Sequence, residues 1–297
     1  MVTIADMFSS LLSRIEPTGS ELEKFESHRY TITRRLKQAY GDVQVPLMGS
    51  YSRGSAVGAS SDYDLLFNIP TDRVYWGDRL KSSNTVLTEV REELQDRYFQ
   101  TEVGKDGQAV VCYFSDGKYR VDVVPGIYKG PLRDHNNYPL YWIPDGEGGW
   151  MSTSPQSHNK FINDEDARSR GKLKFVAKLI KFWRVCGRSS RIPLNSFHVE
   201  LLLAQEAVCV GPKSYALCLS EAFSLLRDRE CRALQDPLGI SGYIKAANTE
   251  SQREQALNAV NSAAERARRA VEAEDYGNGN EAFRLWNLVF NDQFPRS

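Results

Sequence analysis

The sequence predicts an α+β protein, with strands in the first half of the chain and helices in the second. Two amphipathic helices, 3–16 and 19–40, precede short apolar segments that have the length of strands. These strand candidates are 44–47, 65–69, 109–114 and 119–124. From residue 164 onward the apolar residues recur at helical spacing, over about 166–186, 195–209, 213–234, 248–274 and 281–290. Strands followed by helices indicate an α+β lobe and a helical lobe, which we place at 1–160 and 161–297.

Three further segments complete the expected order of elements. A charge-rich stretch at about 85–98 has helical character and lies between the second and third strands. Ser-Asp-Gly-Lys at 115–118 is a good hairpin turn between the third and fourth strands. Residues 125–159 are rich in glycine, proline, asparagine and aromatic residues, so we expect a long connection there, of the kind that is often functional.

Composition and charge exclude some classes of protein. Of the 297 residues, 41% are hydrophobic and 26% charged, which is ordinary for a soluble globular protein. Lysine and arginine total 38, aspartate and glutamate also total 38, and the formal net charge is zero. This argues against a strongly basic surface for long nucleic acid. Because no segment has the roughly 20 apolar residues of a membrane span, and the N-terminus does not read as a signal peptide, we expect a cytoplasmic protein that binds no membrane.

The cysteines and histidines give little support to transition-metal chemistry. The five cysteines are odd in number and scattered, and the four histidines are dispersed without the spacing of metal ligands. We therefore expect reduced, mostly buried thiols rather than a disulfide framework or a zinc site.

Acidic residues occur where strands should be buried. Asp62 and Asp64 flank one residue at the start of an apolar run, so on an extended chain their side chains point to one face, roughly 6.5–7 Å apart. Asp122 lies within the valine-rich segment YRVDVVP, where an unpaired charge would be costly. Carboxylates that converge repel one another unless a cation lies between them, and Mg²⁺ prefers hard oxygen ligands. The pattern favours a two-metal Mg²⁺ site, with Mn²⁺ as an alternative ion; the alternative for Asp122 is a solvated, outward-facing side chain.

A phosphate-binding turn is expected just before the first two acids. Gly49 and Ser50 follow the strand candidate at 44–47. A glycine allows backbone N–H groups to approach phosphate oxygens closely, and a serine hydroxyl adds a donor. Gly-Ser at the end of a strand, followed by Asp-x-Asp and a distant strand aspartate, is much more specific than any of these features alone.

These motifs resemble a known family. MGSYSRGSAVGASSDYDLLF (48–67) and YRVDVVP (119–125) are similar to the nucleotidyltransferases related to DNA polymerase β. KLIKFW (178–183), LNSFHVELL (194–202) and WMSTSPQSHNKF (150–161) resemble the cGAS/DncV-like nucleotidyltransferases (CD-NTases). The resemblance implies a polymerase-β-like catalytic lobe with the active site in the cleft between it and the helical lobe.

The resemblance also implies roles for individual residues. Asp62, Asp64 and Asp122 would be the catalytic residues and the ligands of two metal ions, with Asp122 nearest the attacking hydroxyl. The residues that would bind the nucleotide are Gly49, Ser50, Lys181, Ser196 and Phe197. To these we add Asn195, which directly precedes Ser196, because its amide can both donate to and accept from a base edge. Lys181 would contact the triphosphate, as would Gly49, Ser50 and Ser196. Phe197 would stack on a base, and the alternative for it is core packing.

The activity implied is Mg²⁺-dependent synthesis of a cyclic di- or trinucleotide second messenger from NTPs, with release of pyrophosphate, in anti-phage signalling. Two alternatives stay open: a template-independent enzyme that makes linear oligonucleotides or tails RNA, and a non-catalytic nucleotide-binding scaffold. We expect no obligatory nucleic-acid activator, because neither a zinc thumb nor a large basic face is evident. A downstream effector would bind the product rather than the enzyme.

Overall fold

The structure is a computed structural model that describes residues 3–58, 61–97, 101–114, 119–187 and 189–296. The chain forms two compact units. The sheet unit consists of residues 17–160 with 240–242. The helical unit consists of residues 1–16, 161–239 and 243–297.

The sheet unit contains a six-stranded mixed sheet and helices that cover it. Its helices are α2 (Gly19–Tyr40), α3 (Gly49–Arg53) and α4 (Ser83–Arg97), and α5 (Pro155–Arg168) begins in it. Its strands are β1 (Tyr63–Asn68), β2 (Tyr75–Trp76), β3 (Arg79–Leu80), β4 (Glu102–Asp106), β5 (Ala109–Phe114), β6 (Tyr119–Leu132), β7 (Tyr138–Pro144) and β8 (Trp150–Thr153).

Strand β6 pairs with three other strands of the sheet, β1, β5 and β7. The antiparallel order is β4-β5-β6-β7-β8, and β1 pairs with β6 in parallel. The first half of β6 lies between β5 and β1, and its second half pairs with β7 from Ile127 to Leu132. A register shift between Tyr128 and Gly130 bends the strand. The mixed sheet with its helices confirms the predicted α+β class.

The two faces of the sheet carry different apolar clusters. The larger cluster includes Phe25 and Ile32 of α2, Val86 of α4, and Val121 and Val123 of β6. The smaller cluster lies on the opposite face, since strand side chains alternate. Its buried residues are Leu66, Ala109, Val111, Val124, Tyr141 and Ile143. The face with less apolar cover is where the predicted acids lie.

The helical unit is built from α1 (Ile4–Ile15), α6 (Lys172–Trp183), α7 (Ser196–Gln205), α8 (Tyr215–Asp228), α9 (Glu250–Asp275) and α10 (Gly279–Val289), with a small hairpin of β9 (Leu234–Gln235) and β10 (Tyr243–Ile244). The sequence places both N-terminal helices in the first domain, but the structure groups α1 with the helical unit. Phe8 of α1 packs edge-on against Trp286 and Phe294, with ring centroids 5.0 and 4.9 Å apart.

Several predicted elements need correction. Residues 125–159 are not a long connection, because they contain the end of β6, then β7 and β8, and the first turns of α5. The predicted helix over 166–186 covers only the last three residues of α5 and the whole of α6, and residues 169–171 separate the two helices. Residues 44–47 run along β1 and form a single bridge, Leu47 to Leu65, instead of a strand of their own. The hairpin turn expected at 115–118 lies outside the described residues.

Two composition-based expectations can be compared with the structure. All five cysteines are buried, and none forms a disulfide. Within the described ranges, no helix combines the length and the apolar character needed to cross a bilayer.

Candidate active site

The parallel pairing of two strands brings predicted acids side by side. Asp64 of β1 lies opposite Asp122 of β6, and two residues further along Leu66 lies opposite Val124. Leu66 and Val124 both pack in the smaller apolar cluster, so the two aspartates point to that same face. Asp62 directly precedes β1 and is two residues from Asp64. The structure therefore places three carboxylates at one end of one face of the sheet.

An arginine that the sequence argument did not single out lies among these acids. Arg120 is two residues before Asp122 on β6, and its Nε and Nη2 donate to the two carboxylate oxygens of Asp122 at 2.7 and 2.8 Å. The Nη2 also donates to Asp106 of β4 at 2.8 Å, and the Nε lies 3.7 Å from Asp62. Strand alternation could have identified Arg120 from YRVDVVP, because residues 120 and 122 share a face.

Burial and charge act in opposite directions on Asp122. Only 8% of the residue is exposed. Burial raises the pKa of its carboxyl, and the hydrogen bonds and charge of Arg120 oppose that rise. The hydrogen bond to Asp122 in turn raises the pKa of Arg120. The side chain is thus buried and paired with Arg120. The alternative prediction, a solvated and outward-facing Asp122, is wrong.

The donor set of the three aspartates suits a hard cation. Carboxylate oxygens are what Mg²⁺ and Mn²⁺ prefer, and the guanidinium of Arg120 shows that the cluster attracts positive charge. In the part of the chain that the structure describes, no three acidic, histidine or cysteine side chains are grouped closely enough to ligate one metal ion. Asp62 and Asp122 both lie beside the arginine, so a metal ion bound by them would have to compete with it.

Gly49 is placed against Asp64. Its φ is +67°, and a Cβ built on it would lie 1.9 Å from Oδ2 of Asp64. The neighbouring Met48 N–H donates to the carbonyl of Asp64 at 2.8 Å. Only glycine combines this backbone conformation with so close an approach. The Gly-Ser turn and Asp64 therefore form one local structure, with Ser50 in the first turn of α3.

A polar network anchors α3 to α5. Asn159 of α5 donates to the hydroxyl of Ser52 at 3.0 Å and accepts from Nη1 of Arg53 at 3.2 Å. The Ser52 hydroxyl donates to the Gly49 carbonyl at 2.9 Å. Arg53 is only 7% exposed. A five-residue helix has little stability alone, so these bonds fix the turn that carries Gly49 and Ser50. The sequence alone does not identify Asn159, because no local pattern distinguishes it from the other polar residues of α5.

Lys181 of α6 is buried and paired within the helical unit. Its Nζ lies 2.5 Å from Oε1 of Glu200 on α7, and the two side chains are 7% and 0% exposed. Burying an ion pair of this kind costs desolvation free energy. Removing one partner strongly destabilises the fold, because the other charge is left buried and uncompensated. Lys181 thus has a structural role of its own, and its predicted contact with a triphosphate stays a prediction.

The remaining predicted residues begin α7. The side chain of Asn195 caps the helix by accepting the Phe197 N–H at 2.9 Å. The Ser196 hydroxyl accepts from Nη1 of Arg184 at 2.6 Å. Phe197 is half-buried. These three residues and Lys181 belong to the helical unit, whereas Gly49, Ser50 and the aspartates belong to the sheet unit.

Comparison with known proteins points to one family. The model of the Second Messenger Oligonucleotide or Dinucleotide Synthetase domain (SMODS) matches residues 1–166. A cyclic AMP-AMP-AMP synthase of an Acinetobacter species is 26% identical and aligns with 100% of this chain and 87% of its own length. A probable cyclic nucleotide synthase of Bacillus cereus is 22% identical, over 89% of this chain and 86% of its own.

Solved structures agree on the fold. CdnC of Escherichia coli MS115-1 with ATP superposes with a TM-score of 0.73 at 18% identity, over 99% of both chains. The same enzyme in a complex with HORMA-deltaN gives 0.70 at 19% identity, over 98% of both chains. The Vibrio cholerae cyclic AMP-GMP synthase DncV, in complex with the linear intermediate pppA(3′,5′)pG, gives 0.62 at 13% identity, over 86% of this chain and 70% of DncV. These neighbours confirm the expected polymerase-β-like CD-NTase fold.

Proposed function

Since this chain belongs to the family of second messenger oligonucleotide or dinucleotide synthetases, we propose that it joins nucleoside triphosphates into a cyclic di- or trinucleotide and releases pyrophosphate. Nucleotidyltransferase activity and cyclic oligonucleotide synthesis are the activities of the family. The observation that carries the proposal for this chain is the register of β1 with β6, which sets Asp64 beside Asp122 on one face.

Asp62, Asp64 and Asp122 are the residues that would hold two Mg²⁺ ions, with Mn²⁺ as a substitute. Bound there, the ions would neutralise charge on the attacking and leaving oxygens of an in-line displacement at the α-phosphate. In this proposal Asp122 orients the acceptor 3′- or 2′-hydroxyl. The face on which these aspartates lie supports the assignment.

The nucleotide-binding residues complete the proposal. Gly49 and Ser50 would hold the triphosphate, and the anchored α3 turn supports this because it fixes their backbone beside Asp64. Lys181 and Ser196 would add triphosphate contacts from the helical unit. Phe197 would stack on a base, and the Asn195 amide would contact a base edge, although its oxygen also caps α7.

The cellular role that we propose is cytoplasmic anti-phage signalling, in which an effector binds the product. We expect no nucleic-acid activator. The complex of E. coli CdnC with HORMA-deltaN supports control by a protein partner instead.

The test is incubation of the purified protein with radiolabelled NTPs and Mg²⁺, followed by phosphatase treatment and chromatography. We expect a small phosphatase-resistant product from the wild type and none from Asp64→Asn, because the carboxylate at this position is a proposed metal ligand. Asp72→Asn removes one exposed carboxylate from the same unit and should retain activity.

Each other outcome has a definite meaning. A ladder of phosphatase-sensitive products would assign the enzyme to linear oligonucleotide synthesis. No product from the wild type with every combination of NTPs, or equal activity in wild type and Asp64→Asn, would overturn the proposed function. Unchanged thermal melting of the variant shows that the loss is chemical rather than a loss of fold.

A further inference from the structure

Arg120 lies beside three acidic residues, Asp62, Asp106 and Asp122. The proposed reaction assigns it no role. We propose that Arg120 is the resident counter-cation of this site, and that its guanidinium moves from Asp122 onto Asp106 when a divalent cation binds. The inference rests on the proposed function, which places that cation among Asp62, Asp64 and Asp122.

The guanidinium has the position of a shared cation. It makes two hydrogen bonds to Asp122, at 2.7 and 2.8 Å, and its Nε is 3.7 Å from Asp62. Bidentate pairing of this kind is the strongest form of charge-assisted hydrogen bond between side chains. The side chain of Asp122 is 11% exposed, so water compensates little of its charge. Arg120 therefore supplies the positive charge that keeps neighbouring carboxylates together when no metal is bound.

Asp106 gives the guanidinium a second partner outside the set of proposed ligands. Nη2 donates to Asp106 and to Asp122 at the same distance, 2.8 Å. The side chain of Asp106 is 61% exposed, and it lies at the end of β4. Arg120 can thus release Asp122 while it keeps an anionic partner, so no charge is left buried and unpaired during the exchange.

Competition between Arg120 and metal makes a prediction about binding that does not depend on turnover. Removing the guanidinium takes its positive charge away from Asp122 and Asp62. An opposite charge within about 4–6 Å commonly lowers the pKa of a carboxyl by about 1–3 units, which is a tenfold or larger change in its affinity for a proton, and we expect a comparable change in its affinity for a divalent cation. We expect Arg120→Gln to bind Mn²⁺ at least about tenfold more tightly than the wild type, without nucleotide present.

The measurement is titration of the nucleotide-free full chain with Mn²⁺, followed by electron paramagnetic resonance of the free ion. The matched control is Arg133→Gln, because Arg133 is an exposed arginine that follows β6 in the same unit. Arg120→Lys, which keeps the charge but not the bidentate geometry, should fall between wild type and Arg120→Gln. Equal or weaker Mn²⁺ binding by Arg120→Gln would overturn the proposal.

A second pair of variants tests the role of Asp106 and stays informative if Arg120→Gln does not fold. Asp106→Asn removes the alternative partner, so Arg120 should remain on Asp122 and weaken Mn²⁺ binding about fivefold or more. Glu102→Gln removes an equal charge from an exposed residue of the same strand and should have a much smaller effect. If the two variants bind Mn²⁺ equally, Asp106 does not receive the guanidinium.

Failure of this proposal is distinguishable from failure of the proposed function. The same preparations are assayed for the phosphatase-resistant product. Synthesis by the wild type, its loss in Asp64→Asn, and unchanged Mn²⁺ affinity in Arg120→Gln would leave the function intact and reject only the counter-cation. No Mn²⁺ binding by the wild type, even with nucleotide present, would reject the metal site itself.

Discussion

The backbone of Gly49 lies directly against the carboxylate of Asp64, with no room for a side chain between them. We expect Gly49→Ala to lower the rate of synthesis about 100-fold, because the new methyl group would overlap the Asp64 carboxylate and displace it. The positive φ adds a smaller cost to stability. Initial rates of pyrophosphate release and a thermal melt of the same sample measure the two effects separately.

Gly54 offers a control for backbone strain alone. It also has a positive φ, +71°, but no atom lies within 4 Å of the Cβ that an alanine would add. Gly54→Ala should therefore share the loss of stability and keep most of the activity. Equal losses of activity in the two variants would mean that strain, rather than contact with Asp64, explains the need for glycine at 49.

A single sequence identifies a functional residue when its side chain needs a partner that the neighbouring residues do not supply. Asp62, Asp64 and Asp122 stood out because carboxylates at the edge of apolar runs need a cation or a partner. The common face of Asp62 and Asp64 is predicted from alternation along one strand, and the structure adds Asp122 to that face through the pairing of β1 with β6. The ion pair of Lys181 with Glu200 was not foreseen, because it joins two helices whose relative register a single sequence does not encode.

At the scale of elements, the α3 turn depends on α5. We expect Asn159→Ala to raise the KM for NTP about fivefold, since one hydrogen bond is worth about 1 kcal/mol and the turn loses its link to Ser52 and Arg53. The effect on kcat should be smaller, because the aspartates lie on other elements. Steady-state kinetics with the NTP concentration varied measure both constants.

Asn163→Ala on the same helix is the control, because Asn163 is exposed and one turn further along α5. It should leave KM at the wild-type value. An unchanged KM in Asn159→Ala would show that α3 holds its conformation without α5.

The elements that the sequence predicted well are those with strong local signals. Helix α2 begins and ends at the predicted residues, 19 and 40, where Thr18 caps its start. The prediction of a long connection at 125–159 is wrong. It rests on proline and glycine, which are common in loops, whereas here Pro125 and Gly126 continue β6 beside Phe67 and Asn68 of β1. Sheet pairing overrides local propensity at such positions.

At the scale of the whole molecule, each unit contains a histidine whose pKa is lowered. His198 in the helical unit is 1% exposed, and burial lowers its pKa, while a bond to the Ile244 carbonyl opposes the shift. His28 in the sheet unit stacks on Phe114 with ring centroids 4.0 Å apart, and burial with the nearby Lys24 lowers its pKa. The folded protein thus favours the neutral form of both histidines.

This arrangement predicts that acid destabilises the fold before most carboxylates titrate. Because folding lowers the pKa of His198 below its ordinary value of 6.5, the unfolded chain takes up the proton first. Its contribution is complete above pH 6.5 and is lost as the pH falls toward the lowered pKa, at up to about 1.4 kcal/mol per pH unit for one proton. Urea denaturation at pH 7.5, 6.5 and 5.5 should show this decline, and His198→Asn should flatten it. Parallel curves for the two proteins would mean that His198 is protonated equally in the folded and unfolded states, and that its burial in α7 has no consequence for acid stability.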